Sequence, residues 1–338
     1  MAEYISTFAT GFEETAAQSV HSFLRGISVL RVYGGLIRYS YRGNAKDISR
    51  VPFFNNSFTV LRFFQGKNLS LGQMVSETAS GRLRCPAREG TFRIRFSQSN
   101  QFVKVDKRIS AQAESAVSKA SRLRLDRLNP DTELWYVIRS EGFGFYGQLL
   151  RKRTATEKNL HKGELRPEFA SLLCCCARPP QGSVILDPFA GYGSIPAQIA
   201  RHFPYGRLLA GDRDPGKAQA LRQALPDDAR IQVFCGDALA LAEISDESVD
   251  IIITDPPWGF YENVGDIAVF YGNMLREFGR ILKSNGRAVL LCARDEAFAQ
   301  AVAQSGVFTV EGMVRTLVNG RKADVYILNW DNAAANHQ

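Results

Sequence analysis

The chain has 338 residues, of which 45% are apolar and 22% charged, with a net charge of +8. This size and balance are ordinary for a folded globular protein and suit two or three domains, so disorder is not the default. The opening MAEYISTFATGFEETAAQ lacks the basic and then apolar order of a secretory signal, and no stretch of 18 apolar residues runs free of charge. A cytoplasmic or equivalent location without a membrane span is therefore expected.

The first 65 residues combine short alternating strands, at 30–41 and 57–63, with a helix-like stretch at 13–25, as in a small α/β unit. Residues 66–153 give a second: TFRIRFSQ at 91–98, a long polar helix pattern at 107–123, ELWYVIRS at 133–140 and GFGFYGQLL at 142–150. Basic residues gather on and after its helix, at Lys104, Lys107, Arg108, Lys119, Arg122, Arg124 and Arg127. Arg151, Lys152 and Arg153 follow the last strand. Residues 154–182 form a connector and a leading helix, PEFASLLCCCA, stopped by Pro179, Pro180 and Gly182.

Three of the six cysteines, Cys174, Cys175 and Cys176, are consecutive in that helix, a spacing unsuited to one zinc ion. With Cys85, Cys235 and Cys292 they are expected to be reduced, mostly buried thiols. The four histidines, His21, His161, His202 and His337, are scattered, and no metal site is expected. The absence of a heptad run leaves a monomer as the default.

From residue 183 to 330 strand and helix patterns alternate: VILDPF, RLLAGDRD, IQVFCGDA, VDIIITDP and GRAVLLCA are each followed by a helical or short connecting segment. Two more strands precede a tail at 331–338. Near-continuous apolar strands between amphipathic helices indicate a mostly parallel, doubly wound sheet. Ligands of such sheets sit beyond the carboxyl ends of the strands.

Charge divides along the same line. Residues 1–180 carry 28 Lys and Arg against 15 Asp and Glu, a net of +13, whereas 181–338 carry 14 against 19, a net of −5. A front half that holds a polyanion fits this division, as does a basic surface kept for solubility.

The notable polar residues of the rear half fall at the strand ends. The first strand leads into DPFAGYGS, where Gly191 and Gly193 allow close approach to a ligand and Asp187 favours a cationic group over a pyrophosphate. The pattern is neither GxGxxG nor GxxxxGK[ST]. Asp212, with Asp214 as the second candidate, lies about 20 residues on, where an acid takes the hydroxyls of a ribose. Asp237 stands where it can accept from an adenine amino group. These acids suit a ligand with a ribose, an adenine and a positively charged amino-acid end.

The fourth strand ends IIITDPPWGF. With the neighbouring acids, DPPW resembles the S-adenosylmethionine-dependent amino methyltransferases, whose hallmark is Asp or Asn, Pro, Pro, aromatic. Over nearly the whole chain the sequence is similar to the THUMP-domain RNA guanosine N2-methyltransferases. That resemblance implies an α/β chain with an N-terminal ferredoxin-like region at 1–65, a THUMP domain at 66–153 and a Rossmann-like class I methyltransferase domain at 183–330. It implies that Asp187, Phe189, Ala190, Gly191, Gly193, Asp212, Asp237, Ala238 and Asp255 bind S-adenosylmethionine, and that Asp255, Pro256, Pro257 and Trp258 are catalytic. NLHKGELRPEFASLL matches the family segment before the first strand, with Leu165, Pro167 and Ala170 in register. The implied partner is RNA, tRNA first. Tyr or Phe is more usual than Trp in these guanosine enzymes, and DPPW also occurs in adenine-N6 enzymes. Adenine N6 and ribosomal RNA guanine therefore stay open as targets, and a non-catalytic RNA-binding protein remains the alternative of another class.

The tetrapeptide has a chemical logic. An exocyclic purine amine is a poor nucleophile because its lone pair is delocalised, and acceptors for its hydrogens stabilise the charge that develops as a methyl is added. Asp255 and the Pro256 carbonyl are such acceptors, on a backbone that prolines stiffen, while Trp258 offers a flat face to a base and Gly259 gives the loop room. Phe260 and Tyr261 are candidate pocket walls or core residues, and Arg213 and Arg294 are candidate phosphate contacts or solvated surface.

Overall fold

The structure, a computed structural model, describes residues 2–66, 68–81, 83, 85, 89–152, 160–259 and 265–330. Two compact units emerge, one of Met1–Phe8 with Val20–Arg153 and the other of Ala9–Ser19 with Thr154–Gln338.

The elements of the N-terminal part are β1 (Ala2–Thr7), α1 (Glu13–Phe23), β2 (Ser28–Tyr33), β3 (Leu36–Tyr41), α2 (Ala45–Ile48), β4 (Ser57–Gln65), α3 (Leu71–Ser80), β5 (Thr91–Gln98), β6 (Gln101–Phe102), α4 (Lys107–Ala120), β7 (Arg124–Leu125), β8 (Thr132–Arg139) and β9 (Phe143–Arg151). Their strands form one sheet in the order β2-β3-β1-β4-β9-β8-β5-β6, with β7 on β5. The expected border near residue 65 falls inside this sheet, because β4 pairs antiparallel with β9 along its length. Alternation in TFRIRFSQ sends Phe92 and Phe96 into the core beneath α3 and α4, where Met74, Ala113 and Val117 meet them. Asp106 caps α4 by accepting from Arg108 N.

The C-terminal part begins with α5 (Pro167–Ala177), a helix buried almost throughout. There follow β10 (Val184–Asp187), α6 (Ser194–His202), β11 (Arg207–Asp212), α7 (Pro215–Ala224), β12 (Ile231–Cys235), β13 (Val249–Thr254), α8 (Ile267–Ile281), β14 (Leu282–Ala293), α9 (Glu296–Ser305), β15 (Phe308–Val318) and β16 (Arg321–Trp330). The sheet order is β12-β11-β10-β13-β14-β16-β15, parallel from β12 to β14 and antiparallel beyond. Its α8 face is closed by Tyr271, Met274, Leu275 and Phe278, all but sealed from solvent.

One assignment departs from the sequence pattern. The helix at 13–25 reads as part of the first small unit, yet Ala9–Ser19 belongs with the second. Phe12 packs edge-on against Phe169 of α5 with centroids 5.2 Å apart, Thr15 Oγ1 and Cys176 Sγ lie 3.6 Å apart, and Thr316 Oγ1 donates to Thr10 O at 2.8 Å. Cys174, Cys175, Cys176 and Cys292 are buried free thiols, and Cys235 is exposed. Burial pushes the Cys176 thiol up to about 11.

Candidate methyl-transfer site

The chain runs from β10 outward to β11 and β12, then returns to β13 on the other side of β10. The carboxyl ends of β10 and β13 therefore flank the point where strand order reverses. Parallel register sets Leu186 beside Ile252, so Asp187 and the DPPW segment emerge next to each other.

Asp187 is 1% exposed. Its Oδ1 accepts from Thr254 Oγ1 at 2.6 Å and from Phe189 N at 3.3 Å. Burial raises its pKa; those two hydrogen bonds oppose the rise, and the nearby charges of Asp255 and Asp212 add to it, leaving the group at about 8. A cation arriving here would draw this carboxyl into its charged form.

The glycine loop follows directly. Gly191 and Gly193 have φ of +55° and +93°, and a Cβ on Gly193 would stand 2.6 Å from Leu221 Cδ1. Ala190 N donates to Gly211 O at 2.8 Å, and Gly191 N donates to Asp212 Oδ2 at 3.0 Å. The imidazole of His161 stacks on Tyr192 at 3.8 Å, and Ser194 Oγ donates to Leu165 O at 2.9 Å, so the segment before α5 lies against the loop.

Asp212 and Asp214 separate clearly. Asp214 caps α7 through Gly216 N and Lys217 N, whereas Asp212 is buried and holds the loop, with its other oxygen accepting from Asp214 N at 2.9 Å. Each Asp212 oxygen retains a lone pair for a hydroxyl. Asp237 is exposed just beyond β12, its Oδ1 accepting from Leu239 N at 3.0 Å, and Ala238 is buried beside it.

In the tetrapeptide, Trp258 Nε1 donates to Asp255 Oδ1 at 2.9 Å and to Leu291 O at 3.2 Å. Tyr271, sealed in the core, donates its hydroxyl to Pro257 O at 3.3 Å. The indole edge thus ties the acid to β14, a role beyond the stacking face expected from sequence. Among the described residues no hydrogen bond occupies Asp255 Oδ2 or the Pro256 carbonyl. Burial raises Asp255 to about 7 even though the indole N–H favours its charged form. Gly259 has a φ of +77°, in the left-handed region that favours glycine. Phe260 and Tyr261 lie outside the described residues.

The basic residues fare differently from one another. Lys104, Lys107, Arg108, Lys119, Arg122, Arg124 and Arg127 are exposed, with Arg127 gripped by both oxygens of Glu114 at 3.0 and 2.7 Å. Arg151, expected at an RNA surface, instead turns its guanidinium onto the main-chain carbonyls of Ser49, Val51 and Pro52. Lys152 is exposed with Nζ 3.6 Å from Glu133, and Arg153 lies outside the described residues. Arg294 is held by Asp324 at 2.7 Å and by the carbonyls of Thr316 and Ala323. Arg213 is exposed.

Thr254, Leu291 and Tyr271 join the site without a signal in the sequence, since Thr254 and Leu291 act through strand neighbourhood and Tyr271 through the packing of α8. Among the described residues no group of three or more His, Cys, Asp or Glu is placed to hold a metal, and no helix is long and apolar enough to cross a membrane.

Strand order and switch-point acids define the second unit as a methyltransferase-like domain, and residues 216–321 match the family model described as "RMKL-like, methyltransferase domain". The wider chain is similar to proteins of narrower description. The tRNA (guanine(6)-N(2))-methyltransferase THUMP3 of Bos taurus is 31% identical over 203 residues, covering 51% of this chain and 39% of that protein. The tRNA (guanine(6)-N2)-methyltransferase of Methanocaldococcus jannaschii is 22% identical over 399 residues, covering 96% and 99%. The crystal structure of TrmN from Thermus thermophilus superposes with a TM-score of 0.80 at 21% identity, covering 98% of this chain and all of that one, which establishes the shared fold. The chain spans between about a third and a half of the length of the mammalian relatives it matches. The resemblance to THUMP-containing, S-adenosylmethionine-dependent guanine-N2 methyltransferases is borne out in sequence and in fold.

Proposed function

We propose that this chain is an enzyme that transfers the methyl group of S-adenosylmethionine to the exocyclic N2 of a guanosine in tRNA. One observation carries the reading: Asp255 offers a carboxylate oxygen, beside the Pro256 carbonyl, neither of which is taken by a hydrogen bond among the described residues, at the switch point and next to the buried Asp187. Two acceptors on a stiff backbone match the two hydrogens of an exocyclic amine.

The residues present fit the cofactor. Asp187 is a buried acid poised to charge against an ammonium, Asp212 retains lone pairs for ribose hydroxyls, Gly191 and Gly193 leave room at the loop, and Asp237 with Ala238 lies beyond β12 for the adenine. Phe189 and Ala190 complete this cradle. When bound, S-adenosylmethionine supplies a methyl group activated by its sulfonium. Asp255 accepts one N–H of the guanine amine and Pro256 O the other, so positive charge growing on nitrogen meets a negative group already in place. Trp258 keeps Asp255 aimed, and its indole face remains available to the base.

We assign residues 1–65 to a ferredoxin-like region, 66–153 to a THUMP domain and 183–330 to a Rossmann-like class I methyltransferase domain. Similarity to a relative named THUMP3 supports the THUMP assignment, and the match of residues 216–321 to a methyltransferase-domain model supports the last. A cytoplasmic monomer acting on tRNA through the basic first unit completes the proposal.

The test incubates the purified protein with tritiated S-adenosylmethionine and bulk tRNA from cells lacking the gene, followed by digestion to nucleosides and chromatography. Label in N2-methylguanosine is the expected result. Label in N6-methyladenosine would overturn the substrate assignment and keep the site chemistry.

A further inference from the structure

Strand β13 reads VDIIIT, and Thr254 is its only polar side chain after Asp250. Parallel register with β10 sets Ile185 beside Ile251 and Leu186 beside Ile252, so Thr254 stands one step beyond Asp187 along the pair. Thr254 is sealed from solvent. A buried hydroxyl costs stability unless it is hydrogen-bonded, and valine would offer the same shape without that demand. The hydroxyl therefore needs a reason beyond packing.

Among the described residues its partner is Asp187, to whose Oδ1 Thr254 Oγ1 donates at 2.6 Å. Phe189 N donates to the same oxygen at 3.3 Å, so both lone pairs of Oδ1 are taken. No hydrogen bond among the described residues occupies Oδ2. The carboxyl is thus fixed with one oxygen committed to its own scaffold and the other left for a ligand. Branching at Cβ restricts the rotamers of Thr254, so its hydroxyl holds that orientation with little freedom to lose.

Charge depends on the same bond. Burial is the largest influence on Asp187 and favours its protonated form. The Thr254 hydroxyl is the strongest influence in favour of the carboxylate, ahead of Phe189 N, while the charges of Asp255 and Asp212 work against it. An arriving ammonium pairs with the carboxylate and gains little from the neutral acid. Asp255 is the very next residue, so one strand end carries both the support of the cofactor acid and the catalytic acid.

We propose that Thr254 is a positioning residue that gives this enzyme its grip on the α-amino group of the cofactor, by holding Asp187 with Oδ2 free to meet it. The proposal rests on the reading of the cofactor as S-adenosylmethionine and adds a determinant of selectivity. Adenosyl compounds that carry the amino-acid end are separated by this bond from those that lack it.

Titration calorimetry of the full chain with S-adenosylhomocysteine and with 5′-methylthioadenosine tests it. The first carries the α-amino group; the second is the same thionucleoside without the amino-acid end. Thr254→Val keeps the shape and removes the donor. It should weaken S-adenosylhomocysteine binding on the order of 10-fold at about pH 7 and leave 5′-methylthioadenosine affinity unchanged. Thr254→Ser keeps a hydroxyl and should restore most of the loss. The ratio of wild-type to Thr254→Val affinity for S-adenosylhomocysteine should shrink as pH rises, because Asp187 then ionises without help. The ligand's own titration cancels in that ratio.

If the wild type binds S-adenosylhomocysteine and Thr254→Val binds it equally well, or if Thr254→Ser binds no better than Thr254→Val, the inference fails and the functional reading stands. Equal losses for both compounds would show a damaged pocket in place of a lost grip on the amino group, and would overturn it too. If the loss is confined to S-adenosylhomocysteine while the wild type methylates no tRNA, the inference stands and the functional reading fails. A wild type that binds neither compound overturns both.

Discussion

The indole N–H of Trp258 reaches back three residues to Asp255 Oδ1, 2.9 Å away, while the same hydrogen is shared with the Leu291 carbonyl on the neighbouring strand. The aromatic residue of the tetrapeptide therefore orients its acid. Trp258→Phe keeps a flat face and removes the donor. A lost hydrogen bond to a charged group corresponds to about 1.5–3 kcal/mol, so kcat should fall roughly 10- to 100-fold with cofactor affinity unchanged. Single-turnover kinetics check this, and wild-type kcat in the variant would leave stacking as the residue's sole function.

Asp255 must be charged to accept from the amine, and burial holds its pKa near 7. The rate should climb as pH rises through about 7 and then level off. Trp258→Phe, by removing the hydrogen bond that favours the charged form, should move that midpoint upward. A pH–rate profile of both proteins decides it, and Asp255→Ala should reduce turnover by at least about 100-fold while still binding cofactor.

Asp187 has a folded pKa of about 8, above its ordinary value. The folded state therefore holds a proton that the unfolded chain releases, and stability present at low pH is lost as pH rises from about 4 through about 8. Asp187→Asn removes this loss, so its melting temperature should gain on the wild type by at least about 3 °C between pH 5 and pH 8. Cofactor binding at pH 7 should release about one proton as the ammonium charges Asp187. Calorimetry in buffers of different ionisation heat reads that proton directly.

Asp212 and Asp214 stand two residues apart with separate duties. Asp212→Ala should weaken cofactor binding by about 10- to 100-fold, because it removes both a hydroxyl acceptor and the anchor of Gly191 N. Asp214→Ala should cost about 1 kcal/mol of stability through the lost α7 cap and leave cofactor affinity as it was. Equilibrium titration and urea unfolding of both variants separate the two effects.

Gly193→Ala should destabilise the second unit by about 1–3 kcal/mol, since φ of +93° is unfavourable to alanine and its Cβ would press on Leu221. A melting temperature equal to the wild type would show that the loop shifts freely.

Much of the site was legible because four strands of the doubly wound half, β10, β11, β12 and β13, each end at or just before an acid. Asp187, Asp212, Asp237 and Asp255 occupy strand ends whatever the strand order, and only that order was needed to bring them together. The tether of Trp258 was not legible, because it depends on Leu291 lying beside it through β13–β14 pairing, 33 residues away. Arg151 misled for a related reason: its position in a run of three basic residues suggests a phosphate contact, while three carbonyls around α2 claim it in the fold. The border at residue 65 looked like a change of pattern, and only long-range pairing of β4 with β9 joins the two sides.

Ala9–Ser19 belongs to the second unit, yet Thr10 takes its hydrogen bond from Thr316 on β15, 306 residues later. The second unit therefore cannot be completed until β15 has been synthesised, and Ala9–Ser19 must wait for that strand. A recombinant fragment cut at the start of the connector would lack that piece and leave the Phe169 flank of α5 uncovered, so the methyltransferase-like unit is best produced with its distant N-terminal segment supplied.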